Sequence, residues 1–362
     1  MLEKPELNEK RLIACLQTDF GLHVTQLTFL PLGADLNTAV YRADTAEGAI
    51  FIKLRRGDFN PAAVAVPKFL SDTLTQGTAP CTAPFIPPLT TRAGQLWADL
   101  DPFKVILYPF VEGRNGFEVD ITDAQRIALG KALKLLHTAQ LPPELTQGIP
   151  RETFSPRSYS TRWLATVRRF LERIEHEVYP EPIAAEAAAF LHNHRATTLD
   201  LVTRAERLAR DLQEHPREQV LCHGDIHGWN LLIEPGGALY IVDWDTLIFA
   251  PKERDLMFVG VGLGGNGHTP EQETALFYQG YNGVGYNGVD TPAQVDPIVL
   301  AYYRYERIVE DIAVFCEQLL DSEAGGEDRA QALVYLKSNF LPQGTIELAY
   351  QSDTTHLPQK SW

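Results

Sequence analysis

The 362-residue chain has few basic residues for its length. Its 32 Lys and Arg are outnumbered by 47 Asp and Glu, which gives a formal net charge of −15. Because nucleic acids and anionic membranes attract basic proteins, this charge disfavours both as the main partner. The charge is compatible with a cationic small molecule as the partner.

Long apolar runs and cysteine pairs are also missing. No run reaches the roughly 18–20 apolar residues of a membrane span. Residues 1–5 contain no positive segment that leads into an apolar core, so we expect no signal peptide. The four cysteines have no disulfide or metal-binding spacing, so we expect reduced thiols and a cytoplasmic location. They are Cys15, Cys81, Cys222 and Cys316.

What is present indicates a large α+β fold. Apolar residues make up 44% of the chain, enough for a packed core, and the length exceeds one typical domain. Alternating apolar residues with turn sequences predict a β-meander over 24–54, whereas helical spacing dominates beyond 113. We expect a mostly β lobe over 1–110 with a hinge at 108–113, a mostly helical lobe over 111–351, and a flexible tail over 352–362.

The segment 223–245 is the most informative part of the chain. Asn230 follows Asp225 by five positions, and Asp243 follows Asn230 by thirteen. Phosphoryl transfer needs a carboxylate at the attacking hydroxyl and oxygen ligands for Mg²⁺. The order therefore predicts Asp225 as the catalytic base, with Asn230 and Asp243 as magnesium ligands. Asp245 is either a further metal or substrate contact or a turn cap.

Two histidines in this segment raise an alternative. His223 and His227 have the i,i+4 spacing of a zinc pair, but Gly224 stands where the metalloprotease pattern needs Glu. No nearby Cys or Glu completes a tetrahedral site. We expect His223 to brace the loop instead, and we expect Asp255 to support the loop through backbone amides.

Residues for a nucleotide occur in the predicted β lobe. Lys53 lies on a predicted strand and is a candidate phosphate ligand. The turn over 33–38 could offer backbone amides to phosphate, with Asp35 and Thr38 as candidate contacts. Because Pro109 has no N–H, adenine would bond to the Tyr108 carbonyl and the Phe110 amide.

A helix predicted near 302–320 carries several charges. Glu306 and Glu310 share one face of it. One interpretation is a set of ion pairs within the helix, such as Arg307 with Asp311 at i,i+4. The other is an anionic wall that receives a cationic substrate, and the sequence favours neither.

The 223–245 motif resembles the aminoglycoside phosphotransferase family. This resemblance implies a protein-kinase-like two-lobe fold, ATP and Mg²⁺ as cofactors, and γ-phosphate transfer to a hydroxyl group. It assigns Asp225 as base, Asn230 and Asp243 as magnesium ligands, and Lys53 as the phosphate lysine.

Segments outside the motif are similar to the spectinomycin-phosphorylating branch of that family. They imply a cationic aminocyclitol as substrate, for which Glu306 and Glu310 are candidate contacts. These segments are Gly33-Ala34-Asp35, 51–54, 108–110, 115–117, 250–258 and 303–314.

One departure from the kinase pattern concerns Lys53. Such folds commonly pair this lysine with a glutamate, yet no glutamate lies between Lys53 and Glu112. Lys53 therefore pairs differently or is ordered by nucleotide. The alternatives are a kinase for another metabolite (choline, homoserine or methylthioribose), a stress-response protein kinase, or a nucleotide-binding pseudokinase.

Overall fold

The computed structural model describes residues 2–75, 84–156, 158, 160–264, 267–283, 294–322, 326–342 and 344–353. Cys81 and the predicted tail from 354 onward lie outside these ranges. The chain forms two compact units: the first contains 1–149, 225–247 and 262–290, and the second contains 150–224, 248–261 and 291–362. These units group residues by compactness, and the lobe boundary at 108–113 stays a prediction.

The first unit contains the predicted meander as a five-stranded antiparallel sheet, in the order β1-β2-β3-β5-β4. Lys53 lies on the central strand β3, opposite Val40 of β2 and Ile106 of β5. The strands are β1 (Val24–Leu30), β2 (Thr38–Thr45), β3 (Gly48–Arg56), β4 (Ala98–Leu100) and β5 (Phe103–Pro109).

One face of this sheet packs against the N-terminal helix α1 (Glu9–Cys15). Ile52 and Leu54 of β3 lie in that core together with Leu12 of α1. Since successive side chains of a strand point to opposite faces, Lys53 projects from the other face of the sheet. The alternation of apolar residues in the meander therefore sets the direction of this lysine.

A second, three-stranded sheet of the first unit has the order β6-β8-β9. It contains β6 (Arg114–Asn115), β8 (Leu231–Ile233) and β9 (Leu239–Ile241). Helices α2 (Ala62–Thr75) and α4 (Pro143–Thr146) also belong to this unit. Helix α2 contains Pro67 in its interior and continues through that residue.

Two helices of the first unit approach each other closely. They are α3 (Asp123–His137) and α9 (Pro270–Asn282), and each begins with a Thr–Gln capping box. In α3 the box is formed by Thr122 and Gln125. A Cβ on Gly130 would lie 2.1 Å from the Phe277 carbonyl oxygen, and one on Gly280 would lie 1.9 Å from that of Ile127.

The second unit is mostly helical, and its long helix α10 packs against six other helices of the unit. Buried tyrosines of α10, including Tyr302 and Tyr305, lie in its core. Strands β7 (Val220–Cys222) and β10 (Ile248–Ala250) form a short antiparallel pair. The helices are α5 (Arg162–Arg173), α6 (Pro182–Asn193), α7 (Arg195–Glu214), α8 (Glu253–Leu256), α10 (Pro297–Leu320), α11 (Gly326–Ser338) and α12 (Thr345–Asp353).

The cysteines and the apolar character of the helices were the subject of two predictions. Cys15, Cys222 and Cys316 are buried free thiols. Within the described ranges, no helix combines the length and the apolar character that a membrane crossing requires.

Replacing Gly280 with alanine is expected to lower the free energy of unfolding by about 3 kcal/mol, because the new methyl group meets backbone that cannot rotate away. Urea denaturation measures the change. Gly236→Ala is the matched control, since no heavy atom lies within 4 Å of its added Cβ. Equal stability of the two variants would contradict the close helix approach.

Candidate active site

Lys53 is held between two carboxylates in the first unit. Its Nζ lies 2.8 Å from Asp243 Oδ1 and 2.9 Å from Asp245 Oδ1, and its side chain is 10% exposed. These two aspartates are the acidic partners of Lys53, which the sequence did not identify because it lacks the usual glutamate. Asp245 therefore serves as a partner of Lys53 in this structure, a role that neither sequence-based interpretation included.

The local charges fix the protonation of this lysine. Burial lowers the pKa of Lys53, but the carboxylates of Asp243 and Asp245 raise it by more, so its pKa lies above the ordinary value. Burial raises the pKa of the neighbouring Tyr108 to about 12, and Lys53 offsets only part of that rise. Lys53 is thus a permanent cation beside a neutral phenol at physiological pH.

The β8–β9 hairpin brings Asp243 next to Asn230. Leu231 pairs with Ile241, and the Val242 amide donates to the Asn230 carbonyl oxygen at 3.0 Å. Asp243 follows with φ +65°, in the left-handed region where a non-glycine residue is strained. The thirteen-residue spacing therefore becomes direct adjacency once the hairpin forms.

Asp225 and Asn230 lie at the two ends of one short loop. Asn230 Nδ2 donates to the Asp225 backbone oxygen at 2.9 Å and lies 3.4 Å from Asp225 Oδ2. His227 Nε2 lies 3.2 Å from the same carboxylate oxygen. Since Nδ2 of the Asn230 side chain faces Asp225, the Oδ1 of the same side-chain amide points away from Asp225.

Asp255 accepts hydrogen bonds from the two residues that precede Asp225 in the chain. Its carboxylate oxygens lie 2.9 Å from His223 N and 2.7 Å from Gly224 N, all in the second unit. Asp255 and His223 are both buried. This arrangement agrees with the predicted support of the loop through backbone amides.

The turn over 33–38 is closed by its own side chains. Asp35 Oδ1 accepts from Asn37 N at 2.8 Å, and Thr38 Oγ1 donates to Asp35 Oδ2 at 2.9 Å. Arg55 is ion-paired with Asp35 and donates to Thr38 Oγ1 at 3.0 Å. Arg55 was not predicted as a site residue, although it lies two positions from Lys53 on β3.

The predicted hinge contains Tyr108 at the end of β5 and Phe110 just after it. The Phe110 amide donates to the Ala49 carbonyl oxygen at 3.2 Å, so this amide extends the β3–β5 ladder. The Arg42 guanidinium lies 4.5 Å from the centre of the Phe110 ring. Adenine would have to displace Ala49 to bond to that amide.

Glu306 and Glu310 have internal partners in the second unit. Glu306 is 1% exposed and lies 3.2 Å from Arg254, whereas Glu310 accepts from Trp163 Nε1 at 3.0 Å. The internal pair Arg307–Asp311 is also present, at 3.1 Å. The Arg307–Asp311 pair fits the interpretation of ion pairs within the helix, whereas Glu306 is buried against Arg254 of α8 and does not pair within its own helix.

Known proteins resemble this chain in sequence and in fold. A profile described as the phosphotransferase enzyme family matches residues 28–289. The structure of spectinomycin phosphotransferase APH(9)-Ia with ADP and spectinomycin is 33% identical, with TM-score 0.82, and the match covers 97% of this chain and 99% of that chain. Its AMP-bound complex is 32% identical, with TM-score 0.77, and the match covers 95% and 98%.

Choline kinase LicA from Streptococcus pneumoniae is 15% identical with TM-score 0.53, over 96% of this chain and 99% of that chain, a likeness of fold alone. A search of curated proteins finds no significant match. The predicted α+β, protein-kinase-like fold, with a β-sheet region followed by a helical region, is confirmed.

Glu306→Gln is expected to flatten the pH dependence of stability. Burial raises the pKa of Glu306 to about 8, with Arg254 opposing the rise, so the folded state holds a proton that the unfolded chain loses near pH 4.5. The stability contributed by this proton is present below that pH and is lost as pH rises towards 8.

We expect the difference in free energy of unfolding, wild type minus Glu306→Gln, to fall by about 2–3 kcal/mol between pH 5.5 and pH 8.5. Urea titrations at each pH measure this difference. Val309→Ala, a buried truncation on the same helix, is the control for a loss of stability without a titrating group. Parallel curves for wild type and Glu306→Gln would show that Glu306 does not titrate in this range.

Proposed function

The chain belongs to the phosphotransferase enzyme family, and from this premise we propose that it transfers the γ-phosphoryl group of ATP to a hydroxyl of spectinomycin or a closely related aminocyclitol. The likeness to a spectinomycin phosphotransferase over 97% of the chain is the observation that carries the choice of acceptor. The net charge of −15 suits a cationic acceptor. The need for ATP makes the cytoplasm the expected location.

Asp225 is the proposed catalytic base. Its carboxylate accepts the proton of the acceptor hydroxyl while that oxygen bonds to the γ-phosphorus and the bond from phosphorus to the ADP oxygen breaks. The products are ADP and the phosphate ester, and the proton leaves Asp225 to solvent. His227 and Asn230 hold the carboxylate in place, so the chain supplies mainly positioning.

Lys53 is the proposed phosphate ligand. It is a permanent cation on a central strand, so the sheet fixes where its charge lies. The two carboxylates that hold Lys53 orient it before nucleotide binds. Asp35, Thr38, Tyr108 and Phe110 remain the proposed nucleotide contacts, with the turn at 33–38 next to the triphosphate.

Asn230 and Asp243 fit a magnesium ion by their chemistry. Mg²⁺ prefers carboxylate and carbonyl oxygens together with phosphate. In support, the residue before Asp243 bonds to Asn230 through its backbone amide, and the Asn230 side-chain nitrogen faces Asp225. We therefore propose the Asn230 Oδ1 and the Asp243 carboxylate as the ligands of an ion that would neutralise charge on the phosphates.

Other small-molecule kinases share this fold without specifying the acceptor here. The choline kinase is only 15% identical, so its likeness says nothing of the substrate. Glu310 and Asp245 remain proposed substrate contacts. Glu306 is a weaker candidate because its carboxylate is buried against Arg254.

Asp225→Asn is expected to lower kcat by about a thousandfold or more, because the amide cannot accept the hydroxyl proton. Consumption of spectinomycin and release of equimolar ADP are measured together, with ATP affinity and thermal melting as checks that the fold persists. Asp211→Asn, a surface aspartate of α7, is the matched control. Wild-type protein that leaves spectinomycin unchanged would refute the acceptor, and near-normal kcat in Asp225→Asn would refute the base.

Asp243→Asn and Asp245→Asn are expected to separate two roles at the Lys53 pair. Loss of a proposed metal ligand should raise the half-saturating Mg²⁺ concentration at least tenfold and lower kcat about a hundredfold. Loss of Asp245 should raise the KM for ATP through misplaced Lys53 and leave the Mg²⁺ curve unchanged. Equal shifts of the Mg²⁺ curve in both variants would contradict this division.

A further inference from the structure

We propose that Phe117 and Trp229 form an aromatic platform on which the alicyclic, amine-bearing ring system of the acceptor rests. This inference rests on the proposed function and names a binding surface for its acceptor. Both residues belong to the first unit, and Trp229 lies in the loop that carries Asp225 and Asn230.

The two rings are exposed and touch each other. Trp229 is 54% exposed and Phe117 is 47% exposed, with ring centroids 5.5 Å apart and planes inclined by 54°. Six large apolar side chains are exposed in the part of the chain that the structure describes, and Phe117 and Trp229 are the aromatic ones among these six. Adjacent exposed aromatic rings are uncommon on a protein surface without a ligand or partner.

Backbone hydrogen bonds hold this aromatic pair in place. The Gly116 amide donates to the Gly228 carbonyl oxygen at 2.7 Å, and the Gly228 amide donates to the Gly262 carbonyl oxygen at 3.0 Å. The Phe117 amide is held by Asn115 Oδ1 at 3.0 Å. The segments that carry the two rings are therefore fixed to each other before any ligand arrives.

Glycine at 228 allows Phe117 to lie against the catalytic loop. A Cβ at that position would lie 2.8 Å from Phe117 Cδ2 and Cε2. Because Gly228 has no side chain, the phenyl ring can cover the loop backbone and reach Trp229. The pairing of the rings thus depends on a residue choice inside the loop itself.

The loop also limits how far the platform lies from the base. The bond from Asn230 Nδ2 to the Asp225 carbonyl oxygen closes the segment 225–230. Trp229 lies four residues after Asp225 and extended chain spans at most about 3.3 Å per residue, so the Cα atoms of Asp225 and Trp229 are separated by roughly 13 Å at most. A fused-ring acceptor with its hydroxyl at Asp225 extends into the reach of the indole.

Aromatic faces suit the two kinds of surface that such an acceptor presents. A protonated amine is attracted to the negative face of an indole or phenyl ring, and the effect is largest for Trp. The apolar C–H faces of the alicyclic rings are removed from water by the same contact. A neutral polar acceptor would gain less, so the platform selects for cationic rings.

The test compares the KM for spectinomycin, the KM for ATP and kcat in four variants. Trp229→Ala and Phe117→Ala should raise the KM for spectinomycin about tenfold, with the KM for ATP and kcat within about twofold of wild type. Trp229→Phe should stay within threefold. Trp229→Leu keeps apolar bulk without a π face and should raise the KM at least fivefold.

Val334→Ala truncates an exposed apolar residue of α11 and is the control, with no change expected. An unchanged KM in Trp229→Ala, or wild-type behaviour of Trp229→Leu, would overturn the aromatic platform while leaving the proposed function intact. Wild-type protein that neither binds spectinomycin by calorimetry in the presence of ADP nor phosphorylates it would overturn both.

Discussion

The ion pairs of Lys53 with Asp243 and Asp245 join parts of the first unit that lie 190 residues apart in the chain. A buried lysine is costly unless opposite charges accompany it, so the sheet and the turn after β9 stabilise each other only when both are formed. Arg55 extends the network through Asp35, which gives alternating charges from the turn at 33–38 to the turn at 243–246. The proposed nucleotide contacts and the proposed metal ligands are therefore positioned together.

The hairpin β8–β9 performs the second positioning step. Its register sets Asn230 opposite Val242, so the residues around them become neighbours on one side of the hairpin. The left-handed backbone of Asp243 re-aims its carboxylate towards Lys53 at the end of β9. Strain at this residue is offset by the two charges that it brings together.

The sequence predicts which residue types make up the candidate site better than it predicts which distant side chains contact them. Alternation within 24–54 identifies the strand and face of Lys53, and the 225–243 spacing identifies the hairpin, because both depend on local periodicity. Other contacts depend on which distant segments meet, and local periodicity does not encode that. These contacts are the pairs Lys53–Asp245, Arg55–Asp35 and Glu306–Arg254. Glu306 shows the consequence, since its helical spacing fits either interpretation and only its burial separates them.

Three successive buried charges in α8 each bind a different element of the second unit. Glu253 accepts from the Asp296 amide at the start of α10, Arg254 pairs with Glu306, and Asp255 holds the amides before Asp225. Each charge is satisfied by a different element, so a shift of α8 would leave several buried groups unpaired at once. Because Asp255 binds backbone amides, its support of residues 223 and 224 does not depend on the side chains of those two residues.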